Sequence, residues 1–143
     1  MRLTPTFFAV TLLVLVGATA YSQTGDVGPI RSSAAYSEVL LRKTQLQADL
    51  EAFLADYTEQ NPKIIDIRTE LADLNKSLEK IYAVKPSETA KLTQALGKLI
   101  VEHAALATDL ARLQRSYSNE NPLVKRAKRK VEIFDSAINE ILK

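Results

Sequence analysis

The sequence predicts an all-α protein built from two tandem antiparallel helical hairpins. Apolar residues recur at alternating spacings of three and four along most of the chain, which marks the a and d positions of heptads. The same pattern of residues also occurs twice, at an offset of sixty residues. The residues that mark the two copies are Tyr57, Asn61 and Pro62, then Tyr117, Asn121 and Pro122. Because sixty is not a multiple of seven, duplication explains the alignment better than one uniform heptad repeat.

Residues 1–20 have the pattern of a secretory signal peptide. Arg2 precedes an apolar run over residues 7–16, and small residues lead to a cleavage site after Ala20. This pattern predicts a periplasmic or secreted protein. The alternative is an N-terminal membrane anchor, although the apolar run is shorter than the roughly 20 residues that span a bilayer. No cysteine follows the small residues, which excludes lipid attachment there.

The remaining residues, 21–143, make up one domain's worth of chain. Without Arg2, this part contains 18 basic and 17 acidic residues, so its net charge is close to zero. The chain has no cysteine, so an exported form gains no stability from disulfides, and helix packing or self-association must supply it. Residues 21–31, which contain Gly25, Gly28 and Pro29, predict a flexible leader.

Each copy is expected to form one hairpin. The predicted helices are 32–58 and 62–82 in the first hairpin (32–83), then 88–118 and 122–142 in the second (88–143). Asn61 is a good N-cap and Pro62 suits the first helical position, so the chain should break there. Residues 84–87 link the copies, with Ser87 as a candidate cap. A kinked rod, in which the chain does not reverse, is the competing geometry.

The apolar face widens far from the breaks. Leu40 and Leu41, matched by Ile100 and Val101, add e and f positions that a two-stranded hairpin does not need. This wider face should bury against the other hairpin, giving a four-helix bundle, or against a second molecule. It is the candidate protein-contact face.

One segment distinguishes the two copies by charge. Five cations lie within six residues near the start of the last predicted helix, where the macrodipole disfavours them. This basic cluster consists of Lys125, Arg126, Lys128, Arg129 and Lys130. It is either a solvated face or a contact for anionic lipid, lipopolysaccharide, an acidic glycan or an acidic protein. Nucleic acid ranks last, because no aromatic residue is interleaved with the cations.

The polar seam residues predict structure rather than chemistry. Lys43 and His103 form a polar layer at equivalent a positions, suited to fixing register. Tyr57 and Tyr117 should close the seam beside each break. The sequence contains no nucleophile elbow, glycine-rich phosphate loop or metal-ligand pattern. We therefore expect neither an enzyme nor a cofactor.

The string from Leu50 to Ile64, followed by Leu71 and Leu74, resembles the periplasmic coiled coils of polysaccharide co-polymerases. These proteins control the chain length of O-antigen or exopolysaccharide. Their pattern is similar to a leucine heptad, Tyr-Thr-x-x-His-Pro and further heptads, with Asn61 here replacing the histidine. Their transmembrane helices and α/β part are absent, so the resemblance implies a helical element in a cell-envelope setting, not the activity.

The sequence thus predicts an exported, non-catalytic helical scaffold or adaptor of the bacterial envelope. Its expected partners are another protein, a second copy, or an anionic envelope component. A periplasmic holdase chaperone is the alternative, since such chaperones combine export, small size and long hairpins. The chain lacks the β-strand segment that forms their trimerising body, which ranks this reading lower.

Overall fold

The computed structural model of the protein describes residues 28–143. The predicted signal peptide and the first part of the predicted leader lie outside these residues. Five α-helices and one 3₁₀ helix follow one another in this range, and it contains no strand. They are α1 (Gly28–Arg31), α2 (Ala34–Asp56), α3 (Pro62–Tyr82), the 3₁₀ helix (Pro86–Lys91), α4 (Gln94–Ser116) and α5 (Pro122–Leu142). The all-α prediction is confirmed.

The four long helices repeat with an offset of sixty residues at both of their ends. At the second break, the Asn121 Oδ1 accepts a hydrogen bond from the Leu123 N–H at 2.8 Å, as the Asn61 Oδ1 does from the Lys63 N–H at 2.9 Å. Proline follows each asparagine at the first helical position, where its missing N–H leaves no helical bond unmade. The same local chemistry therefore produces the same break twice.

The linker between the copies differs from its prediction. Ser87 lies inside the 3₁₀ helix, and α4 begins later, with Thr93 as its N-cap. The Thr93 hydroxyl accepts from the Leu96 N–H at 3.3 Å, and Ser33 caps α2 in the same way. Ser87 was therefore the wrong cap, because the residues after it form a separate turn. In the predicted leader, residues 28–31 are helical and Ile30 is buried.

Each copy folds back on itself as an antiparallel hairpin. The start of α2 meets the end of α3, where the rings of Tyr36 and Tyr82 lie 5.9 Å apart. Hydrogen bonding with Tyr82, together with burial, raises the pKa of Tyr36 above its ordinary value. In the second hairpin, α5 packs along α4. The kinked-rod alternative is wrong for both breaks.

The two hairpins pack side by side, with α4 at the centre. Helix α4 contacts α2, α3 and α5, whereas α5 packs mainly against α4. The start of α4 lies at the start of α2, where Gly97 approaches Ala35, and the end of α4 lies at the start of α3, where Arg115 pairs with Asp66. Since α2 and α3 are antiparallel, α2 and α4 run parallel. The arrangement is a three-helix bundle of α2, α3 and α4 with α5 on its outer side, rather than a closed four-helix bundle.

The core follows the predicted seams. Every a and d position in the four long helices is buried or half-buried, except Tyr57 and Tyr117. The largest fully buried side chains are Val39, Ile64, Ile67, Leu74, Ile81, Leu96, Ile100 and Val124. Burying an aliphatic side chain of this size stabilises a fold by about 1.5–3 kcal/mol. The heptads therefore define the core.

Candidate interaction surfaces

The groove between α2 and α3 is filled by α4. We call it the first groove, and the residues that line it on the two helices are Arg42, Leu46, Asp49, Lys63, Asp66, Ile67 and Glu70. Ala105, Thr108 and Arg112 of α4 lie against these residues. Close approach at the start of α4 depends on Gly97, where an added Cβ would lie 2.7 Å from the Glu38 Cβ. The helix backbones can approach here because Gly97 has no side chain.

Ion pairs join α4 to the acidic side of α3 at the first groove. Asp66 accepts a hydrogen bond from Arg115 at 2.5 Å and also lies 3.8 Å from Arg112. The Asp66 side chain is 14% exposed, so this contact is partly shielded from solvent. Within the first hairpin, the nearly buried Glu70 accepts from the Arg42 Nε at 2.7 Å. Charged hydrogen bonds of this kind fix the register of packed helices.

The only histidine of the chain also contacts α3. The His103 Nδ1 lies 2.9 Å from the Asp73 Oδ2, and the histidine side chain is 14% exposed. The heptad position of His103 did not indicate Asp73, which lies thirty residues earlier in the chain. The sequence of α3 did contain a signal for this contact, because the spacing of Asp66, Glu70 and Asp73 places three acidic residues on one side of that helix. The contact supports the predicted role of His103 in register.

The equivalent groove in the second hairpin is open in the described part of the chain. We call it the second groove, and its residues are Leu106, Asp109, Leu113, Leu123, Arg126, Ala127 and Lys130. All of them except Leu113 lie sixty positions after a residue of the first groove. Further along the same two helices, Leu99, Val101 and Phe134 line a shallow apolar depression, which Glu38 of α2 also borders. The two grooves are therefore the same feature, once covered and once uncovered.

The basic cluster is exposed throughout but does not act as one patch. Arg126 and Lys130 line the second groove. Lys125 pairs with Glu120 at 2.6 Å and Arg129 pairs with Glu132 at 3.4 Å, whereas Lys128 lies on the surface. Two cations therefore border the groove, and the other three lie on the rest of the helix surface.

The structure divides the predicted protein-contact face between the two copies. Ile100 is 1% exposed in the core, and Val101 is half-buried beside α2. Their counterparts Leu40 and Leu41 are 40% and 58% exposed. The predicted packing of the wider face against the other hairpin thus holds for Ile100 and Val101. Leu40 and Leu41 differ because no described helix lies on that side of α2.

The tyrosines beside the breaks are about half exposed. Tyr57 is 53% exposed and Tyr117 is 45% exposed. Both residues have extended backbones at the end of a helix. The Tyr57 ring lies 5.8 Å from the ring of the seam residue Phe53, so it covers the end of the seam in part.

Residues 28–143 present no group of three or more histidine, aspartate or glutamate side chains placed to hold a metal ion. No helix in this range is long and apolar enough to cross a membrane. Comparison with known proteins finds no matching family model, curated protein or solved structure. Interpretation of the molecule therefore depends on its own surfaces.

Proposed function

We propose that the protein is an exported, non-catalytic helical scaffold or adaptor of the bacterial cell envelope that binds a protein partner or an anionic envelope component. The observation that carries the proposal is the contrast between the two grooves. The first groove is covered by α4 and ion-paired, whereas the second, lined by apolar side chains, two cations and Asp109, is uncovered in residues 28–143.

The rest of the surface supports binding rather than chemistry. Asp66 and Glu70 of α3 pair with arginines of neighbouring helices, and Asp73 contacts His103. Such contacts hold helices in position. The envelope setting is supported by the export pattern of residues 1–20 and by the resemblance to periplasmic coiled coils.

In-cell photo-crosslinking from a probe at Lys128 tests the proposal. Lys128 is exposed on α5, outside both grooves, so the probe leaves the packing unchanged. One dominant envelope protein, or an anionic lipid or glycan, is the expected product. The matched control is a probe at Lys76, an exposed lysine of α3. Identical products from both positions, or none from Lys128, would contradict a specific contact at the basic cluster.

Binding to vesicles tests the anionic component separately. Lys128→Glu with Arg129→Glu should weaken binding to vesicles rich in anionic lipid, and added salt should do the same because exposed charges are screened. Lys76→Glu with Lys85→Glu changes the same charge at exposed positions outside both grooves and should have a smaller effect. Equal losses in the two double variants would indicate attraction by net charge alone.

Exposed apolar side chains keep the holdase alternative in view. Leu41 and Ile133 are 58% and 54% exposed, and such residues are able to grip unfolded clients. A holdase would suppress aggregation of an unfolded outer-membrane protein at near-stoichiometric ratio, and Leu41→Ser with Ile133→Ser would reduce that suppression. An adaptor would leave the aggregation unchanged.

A further inference from the structure

The internal junction between the two hairpins provides a template for a junction between two molecules. In the first groove, α4 covers the hairpin formed by α2 and α3. The second groove has the same position in its own hairpin, and no described helix covers it. A repeat that stacks on its neighbour in this way leaves one unsatisfied surface at each end of the array.

The other end of the array carries the surface that would fit the second groove. We define the outer face of α2 as Ser37, Leu40, Leu41, Thr44 and Ala48, all of which are exposed. Their counterparts in α4 form the side that packs against the first hairpin. These counterparts are Gly97, Ile100, Val101, Ala104 and Thr108, of which Val101 is half-buried and the others are buried.

The two sets have the same chemistry as well as the same positions. Leu40 replaces Ile100 and Leu41 replaces Val101, so the branched apolar pair is retained. Small side chains lie at Thr44 and Ala48, as they do at the buried Ala104 and Thr108 of α4. The outer face of α2 is therefore already suited to close helix packing, although it is exposed in the single chain.

Opposite charges lie on the two surfaces, although not at the positions that pair inside the chain. Inside the chain, Arg112 and Arg115 near the end of α4 meet Asp66 near the start of α3. The second groove instead has cations on the α5 side, at Arg126 and Lys130. The end of α2 carries the opposite charge at two exposed acidic residues, Glu51 and Asp56.

We propose that copies of this chain stack head to tail, with the outer face of α2 of one copy lying in the second groove of the next. The incoming α2 runs parallel to α4, as α4 runs parallel to α2 inside the chain, so its acidic end lies beside Arg126 and Lys130. Such an interface is heterologous, and it generates rings if the rotation closes and open filaments if it does not. This inference rests on the proposed scaffold function in one respect: it identifies a second copy of the chain as a partner of the scaffold.

The intermolecular contact is wider than the internal one at one point. Gly97 lies where an added Cβ would be 3.0 Å from the Ala35 Cα, whereas Ser37 has a side chain at the equivalent position. The helix axes must separate there to avoid overlap. The stack is consequently expected to be weaker than the packing within the chain and to depend on protein concentration.

Disulfide trapping between singly substituted chains tests the geometry directly, because the chain has no cysteine of its own. Inside the chain, Gly97 lies close to Glu38. At the sixty-residue offset these two residues correspond to Ser37 and Lys98, so Ser37 of one copy should lie close to Lys98 of the next. Both residues are exposed. Full-length Ser37→Cys and Lys98→Cys proteins that carry tags of different size are mixed and oxidised. The expected product is the mixed dimer. Ile65→Cys, on the exposed side of α3, is the control and should cross-link to neither.

Two outcomes would overturn the proposal. If Ser37→Cys joins to itself more readily than to Lys98→Cys, the α2 faces pair symmetrically rather than head to tail. If Lys98→Cys joins no more with Ser37→Cys than with Ile65→Cys, the second groove does not receive α2.

Light scattering provides an independent readout. Leu40→Glu with Leu41→Glu breaks the α2 face but leaves the groove, whereas Arg126→Glu with Lys130→Glu breaks the groove but leaves the face. Each double variant alone should be a monomer, and their mixture should double in mass to a capped dimer. A monomeric parent chain, or a mixture that stays monomeric, would contradict the proposal. Since this test uses purified protein, its failure would not affect the product captured from Lys128 in cells.

Discussion

Helices α3 and α5 have the same length, the same Asn-Pro start and the same seam positions, yet they differ in burial. Among residues 28–143, seven α3 residues are buried, against two in α5, Val124 and Ile138. Helix α3 lies against both α2 and α4, whereas α5 packs mainly against α4. Burial in this protein therefore depends on the position of a helix in the array as much as on its heptads.

The same comparison separates two uses of charge. The side of α3 that faces its neighbours carries Asp66, Glu70 and Asp73, and each of them has a partner on another helix. The equivalent positions in α5 are Arg126, Lys130 and Ile133, which are exposed. Helix α3 uses its polar residues to hold neighbouring helices in register, whereas α5 leaves the corresponding positions exposed to a partner.

Truncation of the core should give the largest difference between the two hairpins. Leu74 is fully buried, and its counterpart Phe134 is half-buried. We expect Leu74→Ala to lower the free energy of unfolding by about 2–5 kcal/mol and Phe134→Ala by less, despite the larger side chain. Urea denaturation of both variants measures the difference. An equal or larger loss for Phe134→Ala would mean that α5 is as firmly packed as α3.

Removal of the acidic partner on α3 should have the next largest effect. Asp66→Ala leaves Arg115 without its carboxylate, whereas Arg112 keeps its pair with Asp109, and the expected loss is about 1–2 kcal/mol of unfolding free energy. Arg126→Ala at the equivalent exposed position should change stability by less than about 0.5 kcal/mol. Thermal denaturation at low and high salt checks both values. Similar losses for the two variants would show that α5 makes ion pairs of equal weight.

An added methyl group where α4 approaches α2 should lower the free energy of unfolding, whereas the equivalent change on the exposed face of α2 should not. In Gly97→Ala the added Cβ overlaps Glu38 and the Ala35 backbone, and overpacking costs about 1–3 kcal/mol. The better helix propensity of alanine offsets about 1 kcal/mol of this cost. Ser37→Ala, at the equivalent exposed position, should be neutral or slightly stabilising. Unfolding curves that rank the two variants in the opposite order would contradict the close packing.

The caps should show the smallest difference, because the two breaks have the same local structure. Asn61→Ala and Asn121→Ala each remove one hydrogen bond to the first turn of a helix, and each should cost about 1 kcal/mol. Circular dichroism during urea unfolding measures both losses. A clear inequality would indicate that packing around α3 or α5, rather than the cap, determines the cost.

Much of this structure could be predicted from the sequence because its signals are local. The Asn61-Pro62 break requires a cap and a ring-restricted φ angle, both of which belong to neighbouring residues. Long-range partners could not be predicted in this way. Asp73 contacts His103 across thirty residues of chain, and no pattern on the histidine's own helix indicates that contact.

The candidate sites show the same division. The basic cluster was recognisable from composition, since five cations within six residues are evident in any reading. The packing of α4 against α5 divides this cluster into a groove side (Arg126, Lys130) and an outer side (Lys125, Lys128, Arg129). That division could not be predicted from the composition. The wider apolar face was predicted as one surface, but the two copies occupy different positions in the array.

The sequence by itself determined the helices, their breaks, the duplication and the seam residues, because these depend on heptad spacing, capping and proline geometry. The tertiary structure alone decided that α4 fills the groove between α2 and α3 while α5 lies outside. The physical reason is that two equivalent hairpins form one junction between them, and a single junction buries one copy of each contact surface. Ile100 is consequently in the core and Leu40 is at the surface, although the two residues have the same position in their repeats.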